Sequence, residues 1–297
     1  MPVSKSPDRI TLAAFLVLVV IGGSNAVAVR FSNLVLPPFW GAAFRFSLAA
    51  LLFWTIVWIK KIPVPRGQAL KGALLLGALS IGMTYAFLYW ALVTVTASLT
   101  MVVLALTPLL TLFFAWAHGQ ESFRWLGLLG ALISFAGILF AVGDQLGSTV
   151  PLLPVLAVLG GAAGIAEGSV VYKGYAKADP IAVNAVSVSI GAAMLLAISL
   201  IAGEPRALPD SSSTWATIAY LVIIGSGILF YLFLYVLDRW TASATSYSSL
   251  LFPVATVLLA STIAGESVPL RFLLGGSVVL LGVWVGAFAG QKKSAEG

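Results

Sequence analysis

Two ionisable side chains, Arg45 and Glu167, lie inside long apolar stretches of the sequence, where a charge needs a partner or water. The Arg45 guanidinium could bind the carboxylate of a ligand through two parallel hydrogen bonds, or it could extend to the end of its segment and hold backbone carbonyls there. Glu167 could hold a ligand amine or exchange a proton, or it could belong to a wet vestibule or a packing ion pair. Both are candidate site residues with a structural alternative.

Uncharged polar side chains are also concentrated in these stretches. Asn25 offers donors and an acceptor within a glycine-rich segment, where it could contact a ligand or another helix. Thr100 precedes Thr111 by eleven residues, and Thr245 precedes Thr256 by the same interval, so each pair would share one helical face after about three turns. Next to Thr245 the chain carries Ser246, Tyr247, Ser248 and Ser249. Such stripes predict either a cavity wall, which would include Thr100, Thr245, Ser246 and Ser249, or hydrogen bonds between helices.

Tyrosines and prolines in the same stretches suggest a binding wall and two hinges. Tyr85 and Tyr231 lie deep enough to stack against an aromatic ligand, whereas aromatic residues near segment ends are typical of a membrane-interface belt. Pro108 and Pro253 lie near the centres of their segments, where each would remove a backbone hydrogen bond and kink a helix. We interpret the two prolines as candidate hinges, with permanent bends as the alternative.

Several classes of site have no support in the sequence. Cysteine is absent, and the single histidine, His118, cannot build a histidine metal site by itself. No H-E-x-x-H, G-x-S-x-G or G-x-x-x-x-G-K-[ST] motif occurs, which argues against an intramembrane enzyme and an ATP-driven pump. The basic residues form no stripe of the kind that binds nucleic acid. We therefore expect no enzyme activity, no metal, no cofactor and no nucleic-acid partner.

Composition indicates that the chain lies within a lipid bilayer. Of its 297 residues, 60% are hydrophobic and only 9% are charged, against roughly 25% charged residues in soluble domains. The apolar residues fall in blocks of about 20, the length of helix that crosses a hydrocarbon core about 30 Å thick. The predicted fold class is all-α, a polytopic membrane protein.

The apolar blocks predict ten membrane-spanning helices, which we call spans 1 to 10. Breaks between them contain turn-forming pairs such as Pro37-Pro38 and Asp179-Pro180. The first block resembles a secretory signal, but we expect it to be a retained helix because every later block spans too. The predicted spans are 10–30, 38–59, 70–92, 95–117, 123–143, 152–173, 180–202, 214–237, 241–264 and 270–290.

The distribution of lysine and arginine predicts the orientation. Ten spans with a cytoplasmic N-terminus place twelve basic residues on the cytoplasmic side and three on the other, which is the bias of plasma-membrane proteins. We therefore expect both termini in the cytoplasm. The twelve are Lys5, Arg9, Lys60, Lys61, Arg66, Lys71, Arg124, Lys173, Lys177, Arg239, Lys292 and Lys293, and the three are Arg30, Arg206 and Arg271.

The second half of the chain repeats the first. A constant shift of 145 residues superimposes Thr96-Ala97-Ser98 on Thr241-Ala242-Ser243, Thr100 on Thr245, Pro108 on Pro253, Thr111 on Thr256, Glu121 on Glu266, Gly130 on Gly275 and Gly137 on Gly282. This predicts two five-helix units, residues 1–145 and 146–297. Because five is odd, the second unit must enter the membrane from the opposite side. Inverted repeats of this kind are typical of secondary transporters.

The motifs resemble those of the EamA-type drug/metabolite transporters over essentially the whole chain. Within that superfamily the sequence looks most similar to the YddG-type exporters of aromatic amino acids. It departs from the usual pattern at Ile21, where a tryptophan often stands, and at Glu167. The resemblance is carried by Gly22-Gly23-Ser24-Asn25-Ala26-Val27-Ala28, by Pro38 with Arg45-Phe46, and by Thr96-Ala97-Ser98, Pro108, Glu121, Gly130 and Gly137.

The resemblance implies a carrier in the plasma membrane, which in bacteria is the inner membrane. Such a carrier would export amino acids, with broad specificity, by alternating access. The expected partners are a small-molecule substrate and lipid, and the expected state is a monomer or a weak homo-oligomer. Export of other drug-like or metabolite solutes remains an alternative, and a channel is a further one, because channels can also contain repeats.

Overall fold

The computed structural model describes residues 8–95, 97–142, 152–255 and 270–288. Every regular element among them is helical, and six of the helices are long and apolar enough to cross a membrane. The prediction of an all-α polytopic membrane protein is confirmed. Spans 1 to 3 are the helices Arg9–Asn33, Pro38–Ile59 and Gly67–Ala91, span 5 is Trp125–Val142, spans 6 to 8 are Leu152–Lys173, Pro180–Ile201 and Ser212–Arg239, and span 10 begins as Leu270–Val283.

Spans 4 and 9 are broken helices. Span 4 consists of Ala97–Leu104 and Thr107–Ala117, and span 9 consists of Ala242–Ser246 followed by helical residues 248–255. The rest of span 9, with the predicted polar residue Thr256 and the repeat match at Glu266, lies outside the described residues. The fourth helix of each repeat is thus interrupted near the level of its serine and threonine residues.

Contacts at one end of the bundle establish that the repeats are inverted. The ring of Phe15, near the start of span 1, lies 5.1 Å from that of Trp240, just after span 8. The Trp240 carbonyl accepts a hydrogen bond of 2.9 Å from Nζ of Lys173, the last residue of span 6. Span 1 therefore starts where its counterpart, span 6, ends. We call this the inner end; it carries the loops 60–66, 118–124 and 174–179, and the outer end carries the loops 34–37 and 202–211.

The third helix of each repeat crosses into the other repeat. Span 3 packs along spans 6 and 7, and span 8 packs along spans 1 and 2. Each of these two helices contains a π-helical segment, Gly77–Met83 in span 3 and Ile223–Ile228 in span 8, and the two segments overlap when the 145-residue shift is applied. π-helical turns shift the register of a helix and free backbone groups, and they frequently lie at functional sites.

Carboxylates outside the spans cap helix starts. Span 2 begins at a proline and has no cap of its own, and Glu204 from the outer loop accepts hydrogen bonds from the backbone N–H groups of Phe39 and Trp40 at 3.1 and 2.6 Å. Asp8 accepts a hydrogen bond from the backbone N–H of Thr11, which lowers the pKa of the Asp8 carboxyl. A negative charge at these positions also stabilises the helix dipole.

Spans 5 and 10 form a glycine-lined helix pair within the chain. A Cβ atom added to Gly130 would lie 2.5 Å from the carbonyl oxygen of Gly282, and it would also collide with the backbone nitrogen of Gly286. The Ser134 hydroxyl of span 5 donates to the Val279 carbonyl of span 10 at 3.0 Å. The glycines of these spans therefore serve close packing of one helix on another, as small residues do in membranes.

We expect Gly130→Val to destabilise the protein strongly. The added side chain would collide with backbone atoms of span 10, which cannot rotate away, and overpacking of this kind costs about 1–3 kcal/mol or more. Thermal unfolding in detergent should show a lower Tm for this variant. Gly276→Val is the control, because a Cβ atom at Gly276 meets no atom within 4 Å. Equal Tm values for the two variants would contradict the packing described for spans 5 and 10.

Candidate substrate cavity

A cavity with about 830 Å³ of empty space lies between the two repeats, and part of this space is continuous with solvent. Its walls come from spans 1, 3, 4, 6, 7, 8 and 9. Asn184 and Ala242, which line it, belong to the first two turns of spans 7 and 9 at the inner end, whereas Tyr85 and Phe230 mark its deep end. The cavity therefore occupies the inner half of the bundle.

The cavity wall is apolar with a few hydroxyl groups, and none of the described residues that line it is charged. The hydroxyls of Thr245, Ser246 and Ser249 donate to backbone carbonyls three or four residues earlier on the same span. Their oxygen atoms thus remain available mainly as acceptors. This wall suits a solute with a large apolar surface and few strong hydrogen bonds.

Asn184 is the exception in this wall. Its side chain is buried and lines the cavity, and its Nδ2 atom has no hydrogen-bond partner in the structure. Leaving a buried amide unpaired costs about 1–3 kcal/mol, which makes Asn184 a candidate ligand contact. Sequence reasoning missed Asn184; the signal was an amide one turn after the helix-starting Pro180.

An aromatic layer closes the deep end of the cavity. The Tyr85 ring lies 6.0 Å from the Phe230 ring, and Phe46 packs on both, at 4.7 Å from Tyr85 and 5.9 Å from Phe230. Tyr85 and Phe230 are related by the 145-residue shift. Two residues that an in-plane pseudo-two-fold axis exchanges can touch only near that axis, so the layer lies near the middle of the membrane.

Arg45 lies on the other side of the aromatic layer, and it is fully buried. Its guanidinium carbon is 4.8 Å from the centroid of Phe46 and 5.4 Å from that of Tyr85. The guanidinium donates to four neutral acceptors on spans 1, 3 and 8. These are the Ser226 hydroxyl at 2.9 Å, the Gly225 carbonyl at 2.7 Å, Asn25 Oδ1 at 3.2 Å and the Tyr89 hydroxyl at 3.2 Å.

The Arg45 cluster, defined as Arg45 with these four acceptors, joins the two repeats in the outer half of the bundle. Gly225 and Ser226 belong to the π-helical segment of span 8, and Asn25 also donates to the Gly225 carbonyl, at 3.4 Å. Arg45 therefore does not reach outward to solvent. It holds span 8 against spans 1 and 2 above a cavity that is closed at this side.

The structure brings part of the predicted site together. Tyr85, Thr245, Ser246 and Ser249 line the cavity, whereas Asn25 and Arg45 lie beyond the aromatic layer. Thr100 is buried and does not line this cavity. Tyr231 is partly exposed on the outside of span 8, where its ring lies 6.2 Å from that of Tyr235.

Glu167 also lies away from the cavity. Its Oε1 atom is 2.9 Å from Nε2 of His118, so the residue ties span 6 to the end of span 4. Its other oxygen, Oε2, is buried and has no partner. This placement resembles a packing contact between helices, and the role of Glu167 stays a prediction.

Pro108 lies near the middle of span 4, as expected, but not within a continuous helix. Pro108 lies in the first turn of the helix Thr107–Ala117, after the chain has already left the preceding helix at Ala105 and Leu106. The missing N–H therefore removes no bond from a continuous helix, and the Leu104 carbonyl accepts instead from the Thr107 hydroxyl at 2.5 Å. Pro253 is buried within helical residues 248–255. The hinge function of both prolines stays a prediction.

A model of the EamA-like transporter family matches residues 9–143 and again residues 152–287. The chain belongs to the EamA-like transporter family. The double match confirms the internal duplication. It also makes the protein a membrane transporter by family, with a cavity between two copies of the EamA-like unit.

The sequence of this EamA-like protein is similar to those of uncharacterized transporters over nearly their whole length. The uncharacterized inner membrane transporter YedA of Escherichia coli K12 is 28% identical over 275 residues, which cover 92% of this chain and 89% of the relative. An uncharacterized transporter of Archaeoglobus fulgidus is 24% identical over 267 residues, covering 89% of this chain and 93% of that one. One crystal structure superimposes with a TM-score of 0.80 at 19% identity, over 97% of this chain and 100% of that one, and shows the same fold.

Proposed function

We propose that the protein is a secondary transporter that exports amino acids, aromatic ones among others, by alternating access. The observation that carries the proposal is the one-sided cavity. Empty space in the inner half ends at the aromatic layer, and the Arg45 cluster fills the corresponding region of the outer half. A path that is open on one side and packed on the other is what a carrier presents in one of its two states.

The chemistry of the cavity supports amphipathic substrates. An apolar wall with hydroxyl acceptors and the free Asn184 amide can orient an amino acid through few bonds while the aromatic layer contacts its side chain. Export of other drug-like or metabolite solutes is the second candidate, since the same wall would accept them. A channel is disfavoured by the packed outer half.

Counterflow in proteoliposomes tests this proposal. Vesicles loaded with unlabelled amino acid should accelerate the influx of the labelled compound, because a carrier returns faster when it is occupied. The panel should contain aromatic and aliphatic amino acids, drug-like cations and nucleotide sugars. Acceleration confined to drug-like cations or nucleotide sugars would replace amino acids as the substrate, and influx without any acceleration would indicate a channel.

We further propose that the inner end faces the cytoplasm of a bacterium and that both termini lie there. The distribution of basic residues supports this orientation, and the name of the Escherichia coli relative, an inner membrane transporter, supports the membrane. The chain has no cysteine, so single cysteines report cleanly. We expect Ser212→Cys to react with an impermeant thiol reagent in intact cells and Ser122→Cys to react only after permeabilisation; both serines are exposed. The reverse pattern would invert the proposed orientation.

We expect transport to be only loosely tied to protons. The cavity lining contains no acid or histidine among the described residues, whereas proton-driven carriers usually need such relays in the membrane. Glu167→Gln should therefore lower the rate by a few-fold at most and preserve flux driven by a substrate gradient, and His118→Gln should match it. Concentrative uptake driven by a pH gradient alone, and lost in Glu167→Gln, would assign coupling to Glu167 instead.

A further inference from the structure

The Arg45 guanidinium carries a charge without a carboxylate partner. All four of its hydrogen-bond acceptors are neutral, and no carboxylate among the described residues lies within ion-pair distance of it. Guanidinium stays protonated in proteins, and burying a cation among neutral groups is costly. Neutral acceptors satisfy its N–H groups but do not neutralise its charge. An anion that reached this site would do both.

The internal repeat indicates when an anion could reach it. In an inverted-repeat carrier, the second state arises when the two repeats exchange conformations, so residues equivalent to the lining of one cavity line the other. The 145-residue shift relates four lining residues of the inner cavity to the surroundings of Arg45. The pairs are Ser80 with Gly225, Ile81 with Ser226, Leu234 with Tyr89, and Phe230 with Tyr85.

Three of these four equivalents hydrogen-bond to Arg45, and the fourth, Tyr85, lies under its guanidinium. The correspondence continues into span 4, where Thr100 is the equivalent of the cavity residue Thr245. The Arg45 cluster is therefore the collapsed counterpart of the inner cavity. Thr100, buried in this state, should line the same outer space.

We propose that Arg45 is a carboxylate-binding residue of the outward-facing state, and that the substrates are amphipathic solutes that carry a carboxylate. The proposal rests on the proposed alternating access and names the substrate class. A bidentate carboxylate bound to Nη1 and Nη2 would replace the Tyr89 hydroxyl and the Gly225 carbonyl as acceptors. Since those bonds tie span 2 to spans 3 and 8, their replacement would stabilise an opened outer half.

The two halves of the path then differ in charge. The inner cavity offers the neutral Asn184 amide, and the outer half offers a guanidinium. The repeat position that corresponds to Arg45 in span 7, aligned on Pro38 and Pro180, is occupied by Ser187. Among the described residues that line the path, the stronger carboxylate site is therefore on the outer side.

A cysteine at Thr100 reports on the outer space without touching Arg45. We expect Thr100→Cys in intact cells to react with an impermeant thiol reagent at least tenfold faster than Ser134→Cys, which is equally buried but belongs to the pair of spans 5 and 10. Phenylacetate should slow the reaction at a concentration at least tenfold lower than phenylacetamide, which has the same ring and no charge. Arg45→Gln in the Thr100→Cys background should abolish that difference, and Arg45→Lys should retain part of it.

Two results would overturn the proposal. Reaction of Thr100→Cys as slow as that of Ser134→Cys would mean that the outer half does not open at this position. Equal protection by phenylacetate and phenylacetamide would mean that no carboxylate is bound. If the Arg45→Gln variant does not fold, this comparison can still be made in the Thr100→Cys protein. Counterflow is measured separately, so the absence of amino acid exchange together with selective protection by phenylacetate would reject only the amino acid substrate.

Discussion

Replacing Tyr85 and Phe230 together by alanine is expected to convert saturable exchange into a leak. The two rings are those of the aromatic layer that line the inner cavity, below the Arg45 cluster, and each aromatic side chain of this kind covers about 150–250 Å² of surface. Without them the cavity would extend toward the outer half in the state described. Proteoliposomes loaded with labelled substrate should lose it at least about tenfold faster than the wild type without substrate outside, as for a leak barrier lowered by roughly 1.4 kcal/mol or more. Counterflow should fall because the imposed gradient is lost.

The control for this variant removes the same kind of side chain from the outside of the same helix. Tyr231 and Tyr235 form a ring pair at 6.2 Å that does not line the cavity, so Tyr231→Ala with Tyr235→Ala should leave counterflow unchanged. If the Tyr85 and Phe230 double variant kept wild-type counterflow and retained its contents, the aromatic layer would not be the barrier. The closure would then depend on the Arg45 cluster alone.

The helices and their order were predictable because lipid imposes a simple length rule. Within the described residues, each predicted span is helical over most of its expected length, and the duplication followed from a constant shift. The same shift held one more piece of information. It pairs Tyr85 with Phe230, so the repeat alone was sufficient to indicate the second half of the aromatic layer.

Which face of a helix meets the cavity was not predictable from hydropathy. The lipid side and the packed side of a span are both apolar, so polarity does not fix its rotation. Glu167 lies within span 6, but Ile165 and Ser169 on the same helix line the cavity, whereas Glu167 contacts His118. Tyr231, one residue after Phe230, likewise does not line this cavity.

The position of a residue along a span predicted cavity lining where several polar residues were close together in the sequence. Thr245 and Ser246 end the short helix Ala242–Ser246, Ser249 belongs to the helical stretch that follows the break, and all three line the cavity. The broken form of spans 4 and 9 could not be read from Pro108 and Pro253, because a proline is equally compatible with a kink and with a new helix start.

Asn184→Ala is expected to raise the half-saturating substrate concentration at the inner face about tenfold. Asn184 is buried and lines the cavity, and its Nδ2 atom has no hydrogen-bond partner. The desolvation cost of this amide is already part of the folded state. A substrate acceptor that pairs with it therefore gains a hydrogen bond without a further desolvation cost for the protein. A bond of this kind contributes about 0.5–1.5 kcal/mol, and the upper value corresponds to the tenfold change. Concentration dependence of counterflow in inside-out vesicles measures it.

Ser187→Ala is the matched control one turn further along span 7. The Ser187 hydroxyl is buried and donates to the Ala73 carbonyl of span 3 at 2.9 Å, away from the cavity, so its loss should affect stability and leave the half-saturating concentration unchanged. The comparison separates a ligand contact from helix packing on the same element. If Asn184→Ala lowered the Tm as much as Ser187→Ala did and left the half-saturating concentration at the wild-type value, the amide would be a packing residue, and recognition at the inner face would depend on the hydroxyl groups of span 9.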